Sequence, residues 1–190
     1  MRTMLSKALL ALVFLPVVAA AAVPTGWFLA GTDPKSYVVE RDVSVKRDGK
    51  VSARLGSTGP SKGFGTMMQS FDADEYRGKR LKLSAWVKSK DVADWAGVWM
   101  RVDGEKQKSL AFDNMHNRAI KGTKDWVRYD VVLDVSAEAT AIAYGILVSG
   151  EGSVWMNDVR FQVVDASTPV TDMMNSSSNL KKPTNLDFAN

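Results

Sequence analysis

Apolar and polar residues alternate strictly over residues 80–89. Leu81, Leu83, Ala85 and Val87 fall on one parity, and Lys82, Ser84, Trp86 and Lys88 on the other. Period two marks an extended strand with one buried face, because successive side chains point to opposite sides of a sheet. The pattern recurs at residues 96–102, where Val98, Met100 and Val102 alternate with Trp99 and Arg101. Residues 37–40 (continued by 43–46), 51–55, 66–71, 109–114, 125–133, 141–149 and 153–164 are further strand-like runs. Turn formers separate them. Arg47-Asp48-Gly49-Lys50 is a hairpin signal, since Asp-Gly accepts the positive φ of a tight turn. Residues 56–65 form a loop, residues 72–76 a short helical turn, and Gly150-Glu151-Gly152 a hairpin between the last two strands. Roughly nine or ten strands with turns about every 8 to 12 residues predict an all-β fold, an antiparallel β-sandwich of the jelly-roll kind. No long run of period 3.6 competes with it.

The ends read differently. Arg2 and Lys7 precede an apolar run of 16 residues, 8–23, closed by Ala19-Ala20-Ala21-Ala22. Charge, apolar stretch and small residues in that order make residues 1–22 a signal peptide, with cleavage after Ala20, Ala21 or Ala22. The alternative is a membrane anchor, but the run falls short of the roughly 20 residues that a spanning helix needs. The expectation is a periplasmic or secreted protein with no membrane span after cleavage. Cysteine is absent, so disulfides, thiol catalysis and a lipidated N-terminus are excluded. The formal charge of +4 drops by two when Arg2 and Lys7 leave. Lysine and arginine form no dense block, so nucleic acid is not an expected partner. Residues 25–165 make one sandwich domain. Residues 166–190, rich in serine and proline, read as a flexible tail, in which residues 185–188 form either a frayed end or a short docking strand.

Trp27, the segment Gly49-Lys50-Val51-Ser52-Ala53-Arg54-Leu55, Tyr76-Arg77-Gly78-Lys79-Arg80-Leu81, and the run from Trp95 through Trp99 to Gly104 form an ordered set. Leu110-Ala111-Phe112-Asp113-Asn114-Met115, Gly122-Thr123-Lys124-Asp125-Trp126 and Trp155-Met156-Asn157-Asp158-Val159 complete it. The set resembles bacterial galactose-binding-like jelly-roll domains, the architecture shared by many carbohydrate-binding modules. The resemblance spans residues 27–164. It implies a binding module and carries no catalytic motif. Some domains of this kind are labelled transcriptional regulators, yet no helix-turn-helix pattern can be placed here. The resemblance also implies that the first and last strands lie together with a structural Ca²⁺ between them. Asp42 and Asp158 are the candidate ligands, against ordinary surface charge.

Four of the six tryptophans, Trp86, Trp95, Trp99 and Trp126, lie among charged and amide residues. An indole can stack on the face of a sugar ring while arginine, aspartate and asparagine meet its hydroxyls. If residues 80–89 and 96–102 are neighbouring strands, Trp86, Trp99 and Arg101 share one face, with Asp113, Asn114 and Arg118 supplied from the next strand and loop. Ala143, Gly145 and Leu147 would leave room above them. The alternative is that the two indoles plug a second core. Three functions stay open. The first is an exported, non-catalytic module for carbohydrate or another small polar ligand. The second is a polysaccharide-active enzyme using residues 113–118, with His116, Arg118, Tyr144 and Asn114 mimicking a lyase set. The third is an envelope-assembly or sensory domain. His116 is the only histidine, which with no cysteine excludes a typical zinc site.

Overall fold

A computed structural model describes residues 23–174. The expected residues 1–22 signal and the docking strand at 185–188 lie outside them. Among the described residues there are nine strands: β1 (Phe28–Gly31), β2 (Tyr37–Arg47), β3 (Lys50–Ser57), β4 (Phe64–Asp72), β5 (Arg80–Asp103), β6 (Ser109–Asp113), β7 (Ile120–Asp134), β8 (Ala141–Ser149) and β9 (Ser153–Val164). All recorded pairings are antiparallel.

The two alternating runs in the middle of the chain belong to one strand. β5 is 24 residues long. Its first half pairs with β7 and β9, and its second half with β8 and β6. Register shifts between Val87 and Ala96, together with a positive φ of 54° at Asp91, carry the chain round the corner without ending the strand. Bulges bend a strand in this way. The result is a sandwich of two sheets that share β5. The front sheet runs β1-β4-β8-β5-β6 and the back sheet β2-β3-β9-β5-β7.

Alternation decides which side chains lie between the sheets. Leu81, Leu83, Ala85 and Val87 face in from the back, and Val98, Met100, Val102, Ile142, Ile146 and Val148 from the front, each at most 1% exposed. Burying each of the larger of these stabilises the fold by roughly 1.5–3 kcal/mol. Tyr144 packs edge-on against Phe161, with centroids 4.8 Å apart, and against Trp27 at 5.3 Å.

Turn chemistry is as expected at Asp48-Gly49, where φ is 48° and 76°. Both values are positive, as a type I′ hairpin between β2 and β3 requires. Gly150-Glu151-Gly152 behaves differently from expectation. β8 and β9 do not pair; one lies in each sheet, so this segment crosses between layers. The expected tail is also revised. The Thr171 amide donates to the Val132 carbonyl at 2.8 Å, and Met173 N–H to the Phe112 carbonyl at 2.8 Å. Arg80 donates to the Ala166 and Thr168 carbonyls, the latter at 2.7 Å, while its other nitrogens hold Asp134. Residues 166–174 thus form a strap across the edges of β6 and β7. It supplies partners that the edge groups of both strands would otherwise lack.

Candidate functional site

The outer face of the front sheet carries a trough. Its floor comes from β8, where Ala143 and Leu147 face outward. Trp99 of β5 packs on them and is only 6% exposed, yet it belongs to this outer cluster and not to the core between the sheets. Its indole N–H donates to Thr66 Oγ1 at 2.8 Å. The rim is apolar: Phe64 and Met68 of β4, Trp95 of β5 and Phe112 of β6 pack against the same cluster. The apolar section encloses about 380 Å³, with Arg101 and Asn114 among its lining residues. At Met68 and Arg101 it meets a more polar section of about 620 Å³, lined by Ser70, Asp103, Lys106 and Thr140 among others. Arg101 stands between the two. Asp103, two residues along the same strand face, receives its Nε at 2.7 Å and its Nη2 at 2.9 Å. This bidentate grip fixes the guanidinium plane.

Trp95, half-buried, meets His116 edge-on at 5.0 Å between ring centroids. His116 sits in a tight turn after β6 that also presents Asn114. That turn is close to the sheet because Gly97 has no side chain: a Cβ there would lie 2.3 Å from the Asn114 carbonyl oxygen. The polar run 113–118 owes much of its composition to this turn. Asp113 Oδ1 accepts from Met115 N–H at 2.8 Å, Asn114 Oδ1 from His116 N–H at 3.1 Å, and Met115 adopts a left-handed φ of 63°. Side chains that bond the backbone two residues on are typical turn formers.

Of the expected ligand residues, Trp99, Arg101 and Asn114 come together in the trough. Trp86 does not join them. It lies on the outer face of the back sheet, opposite Arg128 and Asn157, because the corner in β5 turns the strand between the two indoles. Asp113 is fully buried, and its carboxylate is held by Arg118 at 2.6 and 3.0 Å. These two residues brace the turn from below. The set considered for lyase chemistry is likewise divided: Tyr144 is in the core between the sheets, away from His116.

The carboxylates considered for calcium do not fit it as placed. β3 lies between β2 and β9, so the two strands are not adjacent. Asp42 accepts from Ser44 Oγ, Ser44 N–H, Val45 N–H and, across β3, Trp155 Nε1 at 2.7 Å. Burial opposes its charge, but the hydrogen bonds from Ser44, Trp155 and Val45 prevail and hold its carboxyl down at about 2. Asp158 is engaged by Arg160 at 3.0 Å and Arg47 at 3.8 Å. Calcium wants six to eight oxygen ligands. Among the described residues no group of three or more His, Cys, Asp or Glu could hold a metal ion.

Phe64, Met68, Trp95 and Phe112 were not singled out from sequence as ligand-binding residues. A signal existed for some of them. Trp95 shares the parity of Trp99, and Phe112 has the opposite parity to inward-facing Ala111 and Asp113.

No family model matches the chain. It is 44% identical over 165 residues to a protein described as an uncharacterized HTH-type transcriptional regulator, YbfP, of Bacillus subtilis (strain 168). The match covers 86% of this chain and 56% of that protein, so the chain spans about half the length of its curated relative. Among solved structures, the CBM22-1 xylan-binding domain of Paenibacillus barcinonensis Xyn10C superposes with a TM-score of 0.55 at 14% identity, over 76% of this chain and 90% of that one. The C-terminal family 22 carbohydrate-binding module of Clostridium thermocellum Xyn10B gives 0.53 at 12% identity, over 77% and 89%. The fold is that of a carbohydrate-binding-module β-sandwich. Among the described residues no helix is long and apolar enough to cross a membrane.

Proposed function

We propose that this chain is an exported, non-catalytic carbohydrate-binding module whose trough holds a sugar chain. The observation that carries the reading is the chemistry of one face. Trp95 and Phe112 offer ring surfaces around the buried Trp99, beside an oriented guanidinium, Arg101, and an amide, Asn114. A largely apolar site with a few fixed polar groups suits a ligand that has both C–H faces and hydroxyls. The polar section beyond Arg101 extends the site for a chain longer than one ring. The xylan-binding name of one fold neighbour, and the carbohydrate-binding name of the other, put xylan at the head of a test panel. The charged, apolar and small-residue order of residues 1–22 supports export.

Affinity electrophoresis through gels containing neutral polysaccharides tests the binding. Retardation of the wild type that is lost in Trp95→Ala supports the trough. Unchanged migration of the wild type in every gel overturns it. Incubation with the same polymers should release no new reducing ends or unsaturated uronates, since either product would mean an enzyme. Export is tested by the mature N-terminus, expected at Ala21, Ala22 or Val23.

The likeness to YbfP favours a second reading, a sugar-sensing domain of a regulatory protein. Calorimetry separates the two. Tight binding of a mono- or disaccharide without retention by polymers favours the sensor.

A further inference from the structure

We infer that the outer face of the back sheet carries a second ligand site, one that takes the anionic group of an acidic polysaccharide. Three adjacent strands build it. On β5, Lys82, Ser84 and Trp86 share one face. Arg128 of β7 lies opposite Trp86, and Arg160 of β9 lies opposite Ser84. These side chains, with Gln162 and Asp158, line a hollow of about 380 Å³. Neighbouring strands are about 4.8 Å apart and the two positions are offset by two residues along β5, so the backbones of the outer two arginines stand roughly 12 Å apart, with one group between them within reach of both long side chains.

The cations of this face outnumber its acids. Arg47 lies over Trp86, its guanidinium carbon 3.8 Å from the ring centroid. A single carboxylate, Asp158, serves both Arg160 at 3.0 Å and Arg47 at 3.8 Å. It reaches them from a left-handed backbone, φ 52°, beside a register shift in the β5–β9 ladder. Arg47 has a further contact to the exposed Asp48 at 3.0 Å. Arg128 has one loose contact to Asp130 Oδ2 at 3.4 Å, and Asp130 Oδ1 has no donor among the described residues. Lys82 has no ion pair among the described residues. Arg128 and Arg160 are 55% and 70% exposed at the side chain, so their donors remain open to solvent and ligand.

Guanidinium forks match the paired oxygens of a carboxylate or sulfate. Each arginine of the face has an acid in contact, but Asp158 is shared between two of them and the Asp130 contact is long, while Lys82 has none among the described residues and Arg47 also lies over a ring face. Ser84 and Gln162 add hydroxyl-matching groups. The cluster is one compact hollow and not an extended basic stripe, which favours an acidic glycan over nucleic acid. This hollow and the trough lie on opposite sides of the sandwich, so each can be removed without the other.

The test is affinity electrophoresis in de-esterified polygalacturonate, fully methyl-esterified polygalacturonate, heparin and single-stranded DNA. The proposal expects the wild type to be retarded by polygalacturonate, heparin or both, and not by the methyl ester. Whichever polymer retards it assigns the group as carboxylate or sulfate. The double variant Arg128→Ala/Arg160→Ala should lose roughly tenfold or more of that affinity, as expected for two charge-assisted hydrogen-bonding groups. Trp95→Ala should retain it. Added salt should weaken it. Equal retardation by charged and esterified polymer, an unaffected double variant, or retardation by DNA as strong as by either glycan would overturn the proposal. Far-ultraviolet circular dichroism of the double variant should match the wild type, since both side chains are exposed.

Discussion

Trp99 is fixed to the sheet beneath it by Thr66, whose hydroxyl oxygen accepts the indole N–H at 2.8 Å and whose own proton goes to the Ile146 carbonyl at 2.9 Å. Thr66 is 4% exposed and Trp99 6%, so neither group can fall back on bulk water. Thr66→Val keeps the shape and removes the acceptor. The orphaned N–H should cost about 1–3 kcal/mol. For a domain of this size that is roughly 2–4 °C of melting temperature per kcal/mol. Thr66→Ser should lose much less. Scanning calorimetry of the two variants checks the order.

Trp95 and Trp99 should separate binding from folding. Trp99→Ala removes a buried ring and should cost about 3–5 kcal/mol. Trp95 is half-buried at the rim, with an edge contact to His116. Trp95→Ala should leave a cooperative melt close to wild type and weaken polysaccharide retention on the order of tenfold. Equal losses of melting temperature in the two variants would mean that Trp95 is also structural.

Asp113 is fully buried with Arg118 as its charged partner. Removing one member of such a pair leaves an uncompensated buried charge, at a cost of about 3–5 kcal/mol. Arg118→Ala should therefore be among the most destabilising single changes in the turn that presents Asn114. Urea unfolding should show a lower midpoint with an unchanged slope.

The strand pattern was legible in sequence because period two survives wherever one face is buried, as in Leu81 to Val87. The corner in β5 was not. Asp91 and its neighbours read as a turn between two strands, and nothing local states that the chain keeps its pairing through a left-handed residue. That one feature placed Trp86 and Trp99 on opposite sides of the molecule. Asp113 misled for another reason: its charge suggests a ligand group, whereas its parity with Ala111 already pointed inward. Phe64 reaches the trough through the β4–β8 pairing, a contact between residues far apart in the chain that no local pattern encodes. The strap escaped detection because serine and proline content says little about backbone hydrogen bonds with a distant edge.

The strap itself should be stabilising. A chain ending at Asp165 would expose Val132, which is 4% exposed beneath it, and would leave Val132 and Phe112 N–H without the Thr171 and Asp172 oxygens they now meet at 2.9 and 3.1 Å. Each lost hydrogen bond is worth about 0.5–1.5 kcal/mol. The truncated chain should melt several degrees lower. It should also bind less tightly, because Phe112 forms part of the trough wall. An unchanged melt would mean that residues 166–174 do not hold the edge in solution.

Asp42 gives the fold a defined acid sensitivity. Its carboxyl is held at about 2 when folded, because donation from Ser44, Trp155 and Val45 outweighs the opposing effect of burial. In the unfolded chain an aspartate titrates near 3.9. A depressed folded value means that the unfolded state binds the proton more readily, so stability falls as pH falls. The contribution is complete above about pH 4 and is lost progressively as the pH approaches 2. Asp42→Asn should lower the melting temperature at neutral pH, since the amide is a weaker acceptor for Trp155 Nε1. The difference between variant and wild type should then shrink between about pH 4 and pH 2. Melting curves across that range check the prediction, and a difference that stays constant with pH would show that the Asp42 charge contributes nothing to holding β2 to β9.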